Sequence, residues 1–274
     1  METILVPTDF SDTADNAVDY AVELAKFLDA GIILVNAFSI PYAMYEPHFQ
    51  PDLSLIFQKS SEKNLADTKD RIHKIHGDEV RIECIAQAGA AYDVITALVK
   101  ERDVDLIVMG IVGETGNLKE RIMGKTSITV ARKLEVPTFI IPKTVKYRPI
   151  QKITFACDLE GTEETDLVYV VRVFSRIFDA ELEIVNVGSP MEKMSTEKAV
   201  TYLYIEDKLQ NLKHNHYQVT GEDPAIELEK YFNSYPTDVI MLSPKKHNLF
   251  HYLFHRSVTS NLALHVNMPI LAIH

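Results

Sequence analysis

The sequence has no tryptophan, two cysteines and only ten glycines in 274 residues. Cys84 and Cys157 are too few for a disulfide framework, and neither lies in a C-x-x-C or other zinc spacing, so a reducing compartment is expected. Basic charge is in deficit: 28 Lys+Arg against 39 Asp+Glu give a net charge of −11. Both halves share the deficit, with 15 basic against 22 acidic residues in 1–143 and 13 against 17 in the remainder. Nucleic-acid binders usually carry a basic face, so no nucleic-acid partner is expected. Long apolar runs are missing as well. Stretches such as 106–109 and 139–141 are far too short to cross a bilayer, and no membrane association is expected. The chain passes from Met1-Glu2 directly into the strand-like run Thr3-Ile4-Leu5-Val6, with no basic region and no long apolar segment ahead of a cleavage site. A cytoplasmic protein is therefore expected. Also lacking are a nucleophile elbow, a Walker loop in its proper spacing and a His-Glu-x-x-His sequence, which argues against a conventional enzyme.

What is present is an internal repeat. Ile4-Leu5-Val6-Pro7-Thr8-Asp9 matches Ile153-Thr154-Phe155-Ala156-Cys157-Asp158, each a buried-strand run that ends in aspartate and leads into a helical pattern. In the first copy Ser11 can cap a helix whose apolar residues Ala14, Ala17, Val18, Ala21, Leu24, Ala25 and Leu28 recur at three and four residues. In the second, Thr162 precedes Leu167, Val170, Val171, Phe174, Ile177 and Phe178 at the same period. Four further strand-like runs follow in each copy. Ile32 to Asn36 pairs with Glu183 to Val187, Val80 to Ala86 with Tyr217 to Thr220, Asp105 to Met109 with Asp238 to Leu242, and Val136 to Ile141 with Met268 to Ile273. The offset between copies falls from 149 at the first aspartate to 133 at the fourth strand, so copy one carries about 16 extra residues. The proline-bearing stretch Ser39 to Leu53 is the natural place for them, as a surface excursion or a lid.

Strands alternating with helices of 10 to 20 residues give βαβ units and parallel sheets, with five strands and about four helices per repeat. The expected fold class is α/β: two tandem doubly wound five-stranded parallel-sheet domains, Rossmann-like in outline. Domain one spans 1–142, a linker 143–150 and domain two 151–274. Right-handed crossovers put a ligand site at the carboxyl ends of the strands where the strand order switches, and there Asp9 and Gly110 meet.

Past Met109 the sequence runs Gly110-Ile-Val-Gly113 and, with ten residues intervening, Gly124-Lys125-Thr126-Ser127, before a helical pattern. Glycines let backbone N–H groups approach a phosphate, and a helix N-terminus adds positive dipole. The same glycines also suit a tight βα turn, and Asp9 also suits a helix N-cap.

Ile-Leu-Val-Pro-Thr-Asp-Phe-Ser at the start and Asp-Leu-Ile-Val-Met-Gly-x-x-Gly before the glycine loop resemble the universal stress protein family, and the resemblance extends over both repeats. It implies an adenine nucleotide alpha hydrolase-like fold and a stress-response role of the UspA kind, with ATP or AMP as cofactor, with or without Mg. Slow ATP hydrolysis or self-phosphorylation is a lesser implication. Carried over residue by residue, it implies that Pro7, Thr8, Asp9, Val35 and Met109 line the adenosine pocket. Gly110, Gly113, Gly124 and the following Lys125, Thr126 and Ser127 then face ribose and phosphates. The sequence departs from the family pattern twice. One residue is added between Gly113 and Gly124, and Lys125 replaces the usual Ser or Thr.

In the second repeat every motif glycine is gone, and Ser243-Pro-Lys-Lys246-His247 to His255-Arg256-Ser257 stands in its place. Side chains fill the space where backbone must meet phosphate, and Pro244 removes a donor, so this domain is expected to be degenerate and used for packing or partner contact. His247, His251 and His255 at steps of four suggest either a metal face or, with Lys245, Lys246 and Arg256, an anion site; as no carboxylate or cysteine completes a ligand set, no metal is assigned there. The expected partners are an adenine nucleotide and an unknown protein. The two domains imitate a dimer within one chain, and a further homodimer stays open.

Overall fold

The computed structural model of the chain describes residues 1–39, 53–111, 118–157, 163–187, 195–220, 224–244 and 268–274. They divide into two compact units, Met1–Val130 with Val136–Tyr147, and Ala131–Glu135 with Arg148–His274. The lid residues 40–52, the equivalents Asp158 and Thr162, and the basic and histidine cluster from Lys245 to Ser257 lie outside the described residues.

In the first unit, strands β1 (Thr3–Pro7), β2 (Gly31–Phe38), β3 (Ile82–Ala88), β4 (Leu106–Ile111) and β5 (Thr138–Pro142) alternate with helices α1 (Asp12–Leu28), α2 (Leu53–His76), α3 (Ala91–Glu101) and α4 (Leu118–Lys133). The strand order is β3-β2-β1-β4-β5, all parallel. Strands covered by helices on both faces have no polar side to alternate with. Accordingly Ile4 to Val6, Leu106 to Val108 and Phe139 to Ile141 are buried without a break.

Helix α1 shows why the sequence folds as it does here. The Ser11 hydroxyl accepts from the Ala14 N–H, Asp12 and Asp15 occupy the positive first turn, Lys26 lies in the last, and Asp29 closes the helix in the left-handed conformation. Its inward stripe of Ala14, Ala17, Ala21 and Ala25 is buried and small, which lets the helix lie close to the sheet. Asn16 fixes its direction, donating through Nδ2 to the carbonyls of Pro142 (3.0 Å), the last residue of β5, and Val145 (2.8 Å) just beyond it.

The second unit holds β6 (Lys152–Cys157), α5 (Glu163–Phe178), β7 (Glu181–Val187), α6 (Thr196–Leu209), β8 (His214–Val219), α7 (Pro224–Ser234), β9 (Val239–Leu242) and β10 (Ile270–Ala272). Its strands run parallel in the order β8-β7-β6-β9-β10, the order of the first unit. Matching residues do matching work. The Asp105 carboxylate accepts the N–H groups of Glu2 (2.7 Å) and Thr3 (3.1 Å), and Asp238 accepts those of Gln151 (2.9 Å) and Lys152 (3.0 Å). Each aspartate thus ties the start of its unit's first strand to the start of the fourth.

The units differ at Glu183. It is 2% exposed, yet receives Lys152 Nζ at 3.0 Å, Tyr231 Oη at 2.8 Å and Thr154 Oγ1 at 3.4 Å. A buried carboxylate is tolerable only when its lone pairs are met in this way. Strand β8 also departs from the sequence reading. It begins at His214 rather than Tyr217, because His214-Asn215-His216 extends the ladder on β7 through Leu182, Glu183 and Ile184, although these residue types are poor strand formers.

Candidate functional site

The strand order of the first unit runs outward in both directions from the β1–β4 pair, which makes this the switch point where doubly wound sheets hold ligands. A cleft of ≈ 120 Å³ opens there at the carboxyl ends of the strands. Its floor is apolar: Pro7 ends β1, Val35 and Ala37 come from β2, and Met109 from β4. One wall carries Ala91, Val94 and Ile95 at the start of α3. The polar rim is Thr8, Asp9 and Ser11 on one side and Thr126 and Ser127 of α4 on the other.

Hydrogen bonds fix the β1–α1 loop. Thr8 N–H donates to the Val35 carbonyl (2.8 Å), and Asn36 Nδ2 donates to the Thr8 carbonyl (2.7 Å) while its Oδ1 accepts from the Ser61 hydroxyl (2.7 Å). The Thr8 hydroxyl accepts from Phe10 N–H and the Asp9 carboxylate from Ser11 N–H, each at 3.0 Å. These bonds hold Phe10 at φ +62°, a conformation a bulky side chain rarely adopts. The α1 cap is Ser11, and Asp9 acts one step earlier by closing the loop. At the start of α3, Ala90 makes no side-chain cap hydrogen bond.

Of the residues singled out in the sequence, Pro7, Thr8, Asp9, Val35, Met109, Gly110, Thr126 and Ser127 line this one cleft. Gly124 and Lys125 fall within α4, and Gly113 lies outside the described residues. Gly110 has a structural duty: a Cβ built on it would sit 2.6 Å from the Thr13 carbonyl oxygen and 2.8 Å from Thr13 Cγ2. The space in front of that backbone is filled by α1 itself, so helix-to-strand contact alone demands glycine. The Ser127 hydroxyl donates to the Gly110 carbonyl at 2.7 Å and is likewise engaged within the protein.

Sequence reading did not single out Ala37, Ala91, Val94 and Ile95 as lining residues, because they sit on separate elements and carry no motif. Asn36 was legible in principle, since Val-Asn recurs in the second strand-like run of both repeats and Asn186 also uses its amide, donating to Gln218 Oε1 at 3.0 Å.

The sequence profile described as "Universal stress protein family" matches residues 1–142. The chain belongs to the universal stress protein family. Universal stress protein Rv1636 of Mycobacterium tuberculosis is 30% identical over 152 residues, covering 52% of this chain and 97% of that protein. Universal stress protein Slr1230 of Synechocystis is 21% identical over 294 residues, covering 99% of each chain. A solved universal stress protein from Archaeoglobus fulgidus covers 99% of this chain and 95% of its own with TM-score 0.66 at 14% identity, which shows the shared fold. Two units of one strand order make this universal stress protein a tandem member. No helix among its described residues is long and apolar enough to cross a membrane.

Proposed function

We propose that this universal stress protein binds an adenine nucleotide, ATP or AMP, in the cleft of its first unit and acts as a nucleotide-responsive regulator. The supporting observation is the cleft itself: an apolar floor of Val35, Ala37 and Met109 edged by backbone and hydroxyl groups, at the switch point of a doubly wound sheet. Such a surface suits a flat heteroaromatic base that exchanges water for apolar contact and keeps hydrogen bonds at its edge. Pro7, Val35 and Met109 hold the base in this reading. Thr8 and Asp9 stand toward the ribose, where the carboxylate accepts from hydroxyls. Bound phosphates lie toward Gly113, Gly124, Lys125 and Thr126, and the Lys125 ammonium offsets their charge, whether or not Mg accompanies them. The second unit, whose sequence lacks the motif glycines, serves packing or partner contact.

Native mass spectrometry of the protein as purified tests the reading, with retained adenine nucleotide as the expected result. Gly113→Val should empty it, because a branched side chain then stands where phosphate must lie. A wild-type protein that retains nothing and shows no binding at millimolar ATP overturns it.

A second reading, an interaction protein without a nucleotide, draws on α6 of the second unit, where Val200 and Leu203 are 62% and 66% exposed. Exposed apolar side chains on one helix suit a protein partner. Pull-down of the same partner with and without nucleotide separates the two readings.

A further inference from the structure

Glu206, His214 and His216 meet on the second unit, away from every motif discussed above. His214 and His216 are alternate residues of β8 and share one face of that edge strand; α6 lays Glu206 against them. One ligand atom from each residue lies within 4.8 Å of the other two, and all three residues are half-buried.

The register makes the cluster unusual for its place. His214 pairs with Leu182 and His216 with Ile184 on β7, whereas the corresponding partners of β2 in the first unit, Ile32 and Leu34, face Ile82 and Cys84 of β3. The fold therefore accepts an apolar residue and a thiol at these two positions. Packing of α6 on β8 does not require two imidazoles around a carboxylate.

The hydrogen bonds show what the cluster lacks. His214 Nδ1 stands 2.9 Å from the Leu212 carbonyl, which can only accept, so Nδ1 carries the proton. In the neutral ring the lone pair is then on Nε2, and Nε2 faces Glu206 Oε2 at 3.2 Å. His216 Nε2 lies 2.6 Å from Glu206 Oε1, but out of line for a hydrogen bond, and it is buried with no hydrogen-bond partner. A His214 lone pair directed at a carboxylate, with the unpartnered His216 Nε2 beside the same carboxylate, leaves a place for an electron-pair acceptor among the three. The outer contacts are those of a ligand set as well. A backbone carbonyl fixes the His214 tautomer, and the Tyr202 hydroxyl bonds to Glu206 while its ring packs 4.8 Å from that of His216.

We propose that Glu206, His214 and His216 form a binding site for a divalent transition-metal ion of the Zn²⁺ class, with His214 Nε2, His216 Nε2 and a Glu206 oxygen as ligands. Imidazole and carboxylate donors select Zn²⁺ and its neighbours over Mg²⁺ or Ca²⁺, and three protein ligands leave a fourth position to water. The ion clips α6 to the edge strand of the second unit, which gives that unit a metal-dependent stability independent of the nucleotide cleft.

The test uses the full-length protein and Zn²⁺ or Co²⁺ alone. Titration with Co²⁺ should give the intense visible bands of a low-symmetry four-coordinate ion with one equivalent bound. His216→Ala, and separately Glu206→Gln, should weaken binding at least tenfold, whereas joint replacement of His247, His251 and His255 by alanine should not. A readout that needs no variant is carbethoxylation of histidines mapped by peptide mass spectrometry: Zn²⁺ should protect the peptide bearing His214 and His216, and a chelator should restore its reactivity. Absence of binding below millimolar Zn²⁺, protection confined to the 247–255 segment, or unchanged affinity in folded Glu206→Gln protein overturns the site.

Discussion

The Ser127 hydroxyl donates to the carbonyl oxygen of Gly110 across 2.7 Å, tying α4 to the last turn of strand at the mouth of the cleft. Ser127 is 3% exposed, so its removal leaves a buried carbonyl without this donor. Ser127→Ala should cost about 1 kcal/mol of stability, read as a lower midpoint in guanidinium denaturation at unchanged slope. An unchanged midpoint would show that water replaces the hydroxyl without loss.

Gly110→Ala should be worse than its size suggests. The added Cβ meets the Thr13 carbonyl oxygen at 2.6 Å, and this contact is with backbone, which cannot swing aside as a side chain does. Overpacking of this kind costs about 1–3 kcal/mol. The same displacement of α1 disturbs Ser11 and Ala14 on the cleft, so nucleotide binding should fall along with stability. A variant as stable as wild type would mean that α1 yields more easily than its Asn16 anchor implies.

In the second unit, Tyr231→Phe removes the 2.8 Å bond to the buried Glu183 carboxylate. Burial, followed by that bond and the Glu183 charge, lifts the Tyr231 hydroxyl far above its ordinary range, so it donates at every accessible pH. Hydrogen bonds to charged groups contribute about 1.5–3 kcal/mol, and a loss of that size is expected on chemical denaturation. Loss below a few tenths of a kcal/mol would show that Lys152 and Thr154 meet the carboxylate adequately alone.

Asp15 gives a pH-dependent prediction. Burial lifts its carboxyl above the ordinary value, with Arg71 opposing and Asp19, Asp12 and Asp9 adding to the rise. The folded protein therefore holds this proton more tightly than the unfolded chain. The resulting stability is present below the unfolded pKa and is lost as pH rises through the raised folded one. Asp15→Asn should flatten this fall, so that denaturation midpoints across the mildly acidic range decline less with rising pH than in wild type. Parallel pH profiles would contradict this assignment.

Much of the first unit was legible because β1, β2, β4 and β5 each carry a continuous apolar run and α1 holds both its cap and its stripe within one segment. The matched aspartates Asp105 and Asp238 were visible for the same reason, as each opens a strand-like run. The Glu206, His214 and His216 cluster was not visible, since its members lie on two elements and His-Asn-His-Tyr lacks the apolar or β-branched character of a strand; only the pairing with β7 brings the two imidazoles onto one face. The histidines at steps of four, His247, His251 and His255, attracted attention through spacing alone. Gly110 shows the reverse case: its glycine fits a phosphate-approach motif, yet the contact with Thr13 explains it without a ligand.

Calorimetric titration of ATP and AMP into wild type, Ala37→Phe and Lys246→Ala tests nucleotide binding in the first unit most directly. Ala37 lies on the cleft floor, and a phenyl group there takes up the space of the base while leaving the glycine loop and the second unit unchanged. Wild type and Lys246→Ala should bind one nucleotide with equal affinity, and Ala37→Phe at least tenfold more weakly, about 1.4 kcal/mol, with circular dichroism showing all three folded. Equal affinity in wild type and Ala37→Phe, or binding abolished by Lys246→Ala, would contradict placement of the site in the first unit.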